Sequence, residues 1–409
     1  MSSAAGPNIP TSGLALSVDM TNTSKSWRGQ PTINQFGIPT PDVNGYVTFP
    51  VQGTAGFQRI YSGTYGGYEI QPSDIVYKYV LGLGPTACHY HGNTISVTAG
   101  QTPTWSFDYY IDPSTTGYPV TNYLANMEST IGVGAALTDP TPGIIGVWKR
   151  ATQTSAAATA NGTFNAYLYP GACGTQMATG GFILYKNPQV ELNSFATPFV
   201  AGTRSTTDNL IDLTRNSTVT TGGLTYNSDN TFNFTYSSAS YISVPLATAF
   251  NKLEGTINLW LYPTRYNGGN GYFVNRDSTT ENAVDWLWIG PYSDTFYFRL
   301  GDGTTCCNND LTIASYSTVA PLNTWVNMCF TWKSGVTSNI YKNGTLIATR
   351  AISAIPATSP TATGRFGFGH GNLDNYYDGK MPIIQIYNRQ LTAAEVQSNF
   401  NALRQRYGL

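Results

Sequence analysis

Charge is what this chain has least of. Asp, Glu, Lys and Arg make up 11% of its 409 residues, where a soluble domain usually carries about 25%. The 21 basic and 22 acidic side chains nearly cancel to a net −1, and no run of Lys or Arg occurs. The electrostatic footprint of a nucleic-acid binder is therefore missing. No long apolar stretch is present, which excludes a membrane-spanning helix. Histidine is down to 3 residues, and neither a Ser-His-Asp order nor a phosphate-cradling glycine loop stands out. The opening residues 1–10 have neither a basic start nor an apolar core, which predicts no signal peptide. The 5 cysteines (Cys88, Cys173, Cys306, Cys307 and Cys329) are odd in number. Without a framework spacing, and with two of them adjacent, they read as reduced thiols of a cytosol.

Tyrosine (28), glycine (42) and proline (23), with many Thr, Ser and Asn, stand in place of the charges. Aromatic and β-branched residues fit a pleated, half-buried surface, and Gly, Pro and Asn supply turns. The expected fold class is all-β: two β-sandwich (jelly-roll) domains in tandem, with an N-terminal arm and one C-terminal α-helix. The length calls for two cores rather than one. Residues 1–33 read as a Pro- and Ser-rich docking arm holding one short alternation, Leu14/Leu16/Val18. From 34 to 200 strand-like segments recur at short intervals, and Trp105/Phe107/Tyr109 alternate so that their rings share one face. Residues 201–208 are small and polar and read as a linker, and a second β-rich block fills 209–409. In that block Asn343-Gly344 predicts a tight hairpin. Thr392-Ala-Ala-Glu395 predicts a capping box, ahead of a helical stripe of Val396, Phe400, Leu403 and Tyr407.

The second block resembles the laminin-G-like, concanavalin-A-like family. The resemblance rests on Thr256–Tyr262, Asn323–Trp332, Asn339–Ala348 and Tyr377–Val396, in that order. It implies a sandwich with Trp325 and Trp332 in its core layers and a capped helix closing it. The first block resembles carbohydrate-binding jelly rolls through Gly146–Arg150 and Gly181–Phe199. The latter segment, continuing to Arg204, and Gly13–Thr23 are similar to phrases of bacteriophage virion proteins. The resemblance implies a virion surface protein made in the host cytoplasm: a tail fibre or receptor binder, or a head fibre or decoration. Its implied partners are other virion proteins through the arm, host-surface glycans, and copies of itself, though no coiled-coil heptads support a trimer. The competing readings are a purely structural decoration protein and a secreted carbohydrate-active enzyme or accessory module.

Glycoside cleavage needs two carboxylates flanking the bond. The glutamates (Glu69, Glu128, Glu191, Glu254, Glu281 and Glu395) are scattered, and Glu281 has only Asp285 near it. The expectation is a protein without catalytic residues. Loop aromatics beside Asn or Gly, namely Tyr266, Tyr292, Tyr376 and Tyr377, are the candidate sugar platforms, since ring faces stack on pyranoses. Each of them could equally be packing or an oligomer contact. Asp374 and Asp378 are the candidate ligands for calcium, a hard cation that takes carboxylate oxygens, with Asp302 and Asp310 in another loop. The plain alternative is solvated loop carboxylates. Cys88, His89 and His91 could begin a metal site but lack a fourth ligand. They read better as a surface or interface histidine pair.

Overall fold

The computed structural model describes residues 8–23, 25–39, 41, 46–47, 51–52, 57–81, 91–116, 123–139, 141, 143–168, 180–229, 231–266, 271–275, 287–302, 308–355, 363–367 and 376–409. The expected fold class holds: the elements are almost all antiparallel strands, with one substantial helix near the C-terminus. The chain forms two compact units, residues 31–204 and residues 1–30 together with 205–409.

That division corrects the arm. Leu14–Asp19 is a strand, paired antiparallel with Gly379–Tyr387 so that Leu16 faces Ile386 and Val18 faces Ile384. Leu16 and Val18 are fully buried in the C-terminal core. The alternation is a strand signature, but its partner lies at the other end of the chain. Trp27 is buried in the same core and bridges Leu210. The expected linker is also structured. Thr203–Arg204 pairs with Thr32–Ile33, and buried Arg204 donates to Thr197 Oγ1 (2.6 Å) and to the Pro198 carbonyl (3.0 Å).

In the unit of residues 31–204 a six-stranded sheet is ordered Trp148–Thr154, Thr104–Ile111, Phe182–Glu191, Val76–Val80, Phe57–Ile60, Tyr46–Val47. It packs on a five-stranded one, Gly134–Thr138, Tyr123–Glu128, Gly162–Leu168, His91–Val97, Val51–Gln52. Trp105, Phe107 and Tyr109 point together into the core, as their alternation predicts.

The C-terminal unit is likewise a sandwich. Its six-stranded sheet runs Leu14–Asp19, Gly379–Tyr387, Glu254–Pro263, Val326–Lys333, Thr337–Lys342, Thr345–Ala351. Its seven-stranded sheet runs Thr220–Gly222, Tyr241–Pro245, Thr363–Phe366, Phe273–Asn275, Leu287–Tyr292, Thr295–Leu300, Leu311–Ala314. Ile257, Leu259, Leu261 and Phe330 face Phe296, Phe298 and Phe366 across one apolar interior, and Phe296 stacks on Phe330 at 5.8 Å. The Asn343-Gly344 turn has φ of 50° and 78°, the positive pair that a two-residue hairpin requires. Trp332 fills the core, whereas Trp325 is half-buried outside it, against Tyr262 (5.0 Å) and Tyr407 (4.5 Å).

The helix Ala393–Leu403 lies on the outer face of the six-stranded sheet. Val396 meets Cys329, Tyr341 and Tyr387, and Phe400 stacks on Trp260 at 5.9 Å. The capping box is complete: Glu395 N donates to Thr392 Oγ1 (3.3 Å) and Thr392 N to Glu395 Oε2 (2.9 Å). Arg389 grips the same carboxylate with bonds of 2.6 and 2.9 Å. That guanidinium and the cap amide hold the Glu395 carboxyl down from 4.5 to about 2. Its stabilisation is therefore fully present above pH 4.5 and lost as pH falls through about 2. Glu395→Gln is expected to cost about 1 kcal/mol at neutral pH. In paired thermal melts the gap between variant and parent should close toward pH 2.

Candidate functional site

The registers of the two sheets bring one set of loops to one end of the C-terminal sandwich. These are the ends of strands Glu254–Pro263 and Leu287–Tyr292, and the starts of Tyr241–Pro245, Val326–Lys333 and Gly379–Tyr387. Three of the loops are tied by their backbones. Phe234 and Gly379 exchange N–H···O bonds of 2.8 and 3.0 Å, and Thr264 N donates to the Asp378 carbonyl at 3.0 Å. Gly379 has φ of 138°, and a Cβ there would lie 2.2 Å from the Tyr262 carbonyl oxygen. The close approach of these loops depends on glycine at that position.

On this frame stand Tyr236, Arg265, Tyr376 and Asp378. The Arg265 guanidinium carbon lies 5.1 Å from the centroid of the Tyr236 ring, and Nη1 lies 4.0 Å from Asp378 Oδ2. Tyr376 meets Tyr236 edge to face at 6.3 Å. The Arg265 side chain is 56% exposed and that of Asp378 19%. Two half-buried phenol rings thus flank a solvent-facing guanidinium and a carboxylate. Ring faces suit the C–H face of a pyranose, and the charged pair suits vicinal hydroxyls.

The expected sugar platforms divide. Tyr376 belongs to the cluster. Tyr266 is 38% exposed, but its hydroxyl donates to the Ala320 carbonyl (3.3 Å) and accepts from Leu322 N (3.1 Å), anchoring a neighbouring loop. Tyr292, 50% exposed, caps the tight turn into Thr295–Leu300 and meets Tyr297 edge-on at 6.5 Å. Tyr377 is corrected outright. It is fully buried against Tyr272 and Phe234, and its hydroxyl donates to the Lys380 carbonyl (3.0 Å) and accepts from Tyr262 N (3.2 Å). Burial raises its phenol well above the ordinary range. It holds the loops rather than touching a ligand.

Asp378, expected to bind calcium, faces Arg265, while Asp374 lies outside the described residues. Asp310 is bound by Arg299 through Nε and Nη2 at 2.7–3.0 Å. Among the described residues no group of three or more His, Cys, Asp or Glu forms a metal site. Cys88, His89, Cys173, Glu281, Asp285, Cys306 and Cys307 lie outside the described residues, and His91 opens the strand His91–Val97. Cys329 is a buried thiol whose burial pushes its pKa up. Tyr236 and Arg265 were missed by sequence reasoning. Tyr236 has no neighbouring Asn or Gly, and a lone Arg after a strand carries no local signal.

Residues 236–397 match a laminin-G family model described as the concanavalin A-like lectin/glucanases superfamily. No curated protein matches the chain. Among solved structures, the botulinum neurotoxin serotype D binding domain is 17% identical, over 47% of this chain and 49% of that one, with a TM-score of 0.37. The serotype G binding domain is 18% identical over 47% and 48%, with a TM-score of 0.38. The chain thus spans about half the length of each. No helix among the described residues is long and apolar enough to cross a membrane. Residues 236–397 are thus similar to concanavalin A-like lectin/glucanase domains.

Proposed function

We propose that the C-terminal unit is a non-catalytic, sugar-binding receptor module, with Tyr236, Tyr376, Arg265 and Asp378 as its contact surface. The observation that carries this is the cluster itself: two phenol rings beside an exposed guanidinium–carboxylate pair, on backbone-linked loops of a lectin-like domain. The Asp378 carboxylate is paired with the Arg265 guanidinium, whereas cleavage would call for a second carboxylate about 5–9.5 Å from it. The proposed setting is the surface of a bacteriophage particle, as tail fibre or head decoration, with host glycans as ligands. It is supported by the resemblance of 13–23 and 181–204 to virion proteins.

A glycan array probed with the full chain tests the reading. Binding to at least one class of neutral or acidic glycan is expected. Arg265→Ala and the pair Tyr236→Ala/Tyr376→Ala should each weaken it about tenfold or more, at ~1–1.5 kcal/mol for each lost ring or charged contact. The fold should be retained, since all three side chains lie outside the apolar core. Silence on every glycan sinks the proposal, and release of reducing sugar from any bound glycan would replace it with a hydrolase.

A further inference from the structure

A second site lies on the same unit but away from the rim, on the outer face of the six-stranded sheet beside the C-terminal helix. It is an open cleft of about 220 Å³. Its floor is set by register. Ser17 pairs with Gln385 and Asp19 with Ile383, so these four side chains stand in two adjacent rows on one face. Leu403 and Arg406 from the helix end form one wall, and Ile9 packs against Ile383 and Leu403.

The polar floor is built, and it is incomplete. An amide ladder runs out from beneath the helix: Asn327 Nδ2 donates to Asn258 Oδ1 (3.0 Å), and Asn258 Nδ2 to Gln385 Oε1 (2.8 Å). Each amide fixes the orientation of the next, so the ladder ends with Gln385 Nε2 as a donor. Gln385 is 2% exposed and Ser17 3%, yet neither Gln385 Nε2 nor Ser17 Oγ has a hydrogen-bond partner among the described residues; both line the cleft. Both atoms open onto the cleft, where their hydrogen bonds fall to solvent or to a ligand. At one end Asp19 Oδ2 accepts from Arg406 Nη1 at 2.7 Å.

We propose that this cleft binds one neutral sugar ring, with Gln385 Nε2 and Ser17 Oγ meeting its hydroxyls and Ile383, Leu403 and Ile9 its apolar face. The pairing of Asp19 with Arg406 gives the end of the cleft both signs of charge, which disfavours an anion and a cation alike and suits a hydroxyl that donates and accepts. The ring could be a free sugar or the end of a glycan, since the contacts are the same.

The test uses the full chain in saturation-transfer NMR and titration calorimetry. The probes are methyl α-glucopyranoside, methyl β-galactopyranoside, N-acetylglucosamine, and a trisaccharide ending in each. Binding of at least one monosaccharide in the millimolar range is expected. Ser17→Ala should weaken it about tenfold without lowering the melting temperature, because the lost hydroxyl has no partner in the chain. Ala402→Trp, which fills the cleft from the helix, should abolish it. Tyr236→Ala should leave it unchanged, which separates this site from the rim. A trisaccharide that binds as well as its terminal sugar assigns the site to glycan ends, and one that is excluded assigns it to free sugars. No binding by any monosaccharide, or binding that survives Ala402→Trp, overturns the proposal.

Discussion

Removing residues 1–20 is expected to unfold the C-terminal unit rather than to detach a docking arm. The deletion takes away the edge strand Leu14–Asp19 and with it buried Leu16, Val18 and Met20. Each such side chain contributes about 1.5–3 kcal/mol by burial, so the three together approach the ~5–15 kcal/mol that hold a typical domain folded. The loss also exposes the apolar face of Ile384 and Ile386 and leaves Arg406 without Asp19. In a thermal scan of the full chain, the transition of the C-terminal unit should vanish. That of residues 31–204, which have their own core, should remain. Val18→Asp should act in the same direction through one buried charge. Two unchanged transitions after the deletion would show that the strand is dispensable.

The contrast between this strand and the C-terminal helix explains what could be read in advance. The helix carries its instructions within itself: Thr392 and Glu395 close a cap, and Val396, Phe400 and Leu403 recur at helical spacing. The Asn343-Gly344 turn and the Trp105/Phe107/Tyr109 alternation are equally local. Leu14–Asp19 carries the same kind of alternation, but its meaning depends on Gly379–Tyr387, near the opposite end of the chain, which no local pattern announces. The loop residues are harder to sort for a related reason. Tyr376 and Tyr377 are neighbours in sequence, yet one lies at the surface and the other among Tyr272 and Phe234, because the chain turns into the sandwich between them. Asp378 faces Arg265, which comes from a different strand end that no local pattern announces.

Trp332→Ala is expected to destabilise the C-terminal core strongly. The indole is fully buried, packed on Phe250 (5.2 Å) and Phe298 (6.1 Å), with Nε1 donating to the Lys252 carbonyl at 3.0 Å. Truncating such a ring costs about 3–5 kcal/mol. Its cross-strand partner is Gly255, where an added Cβ would stand 2.3 Å from the indole Cζ2. Glycine weakens a strand interior, so its use here is explained by the ring that occupies its side-chain space. Gly255→Val alone should therefore also destabilise, by about 1–3 kcal/mol from overpacking. In the double variant the valine enters the volume the indole has left, and the combined loss should fall short of the sum of the singles by at least ~0.5 kcal/mol. Urea unfolding of the four proteins completes the cycle. Strict additivity would mean that the glycine serves some other need of the strand. A shortfall would assign the small residue at 255 and the large one at 332 to a single packing decision made across two strands.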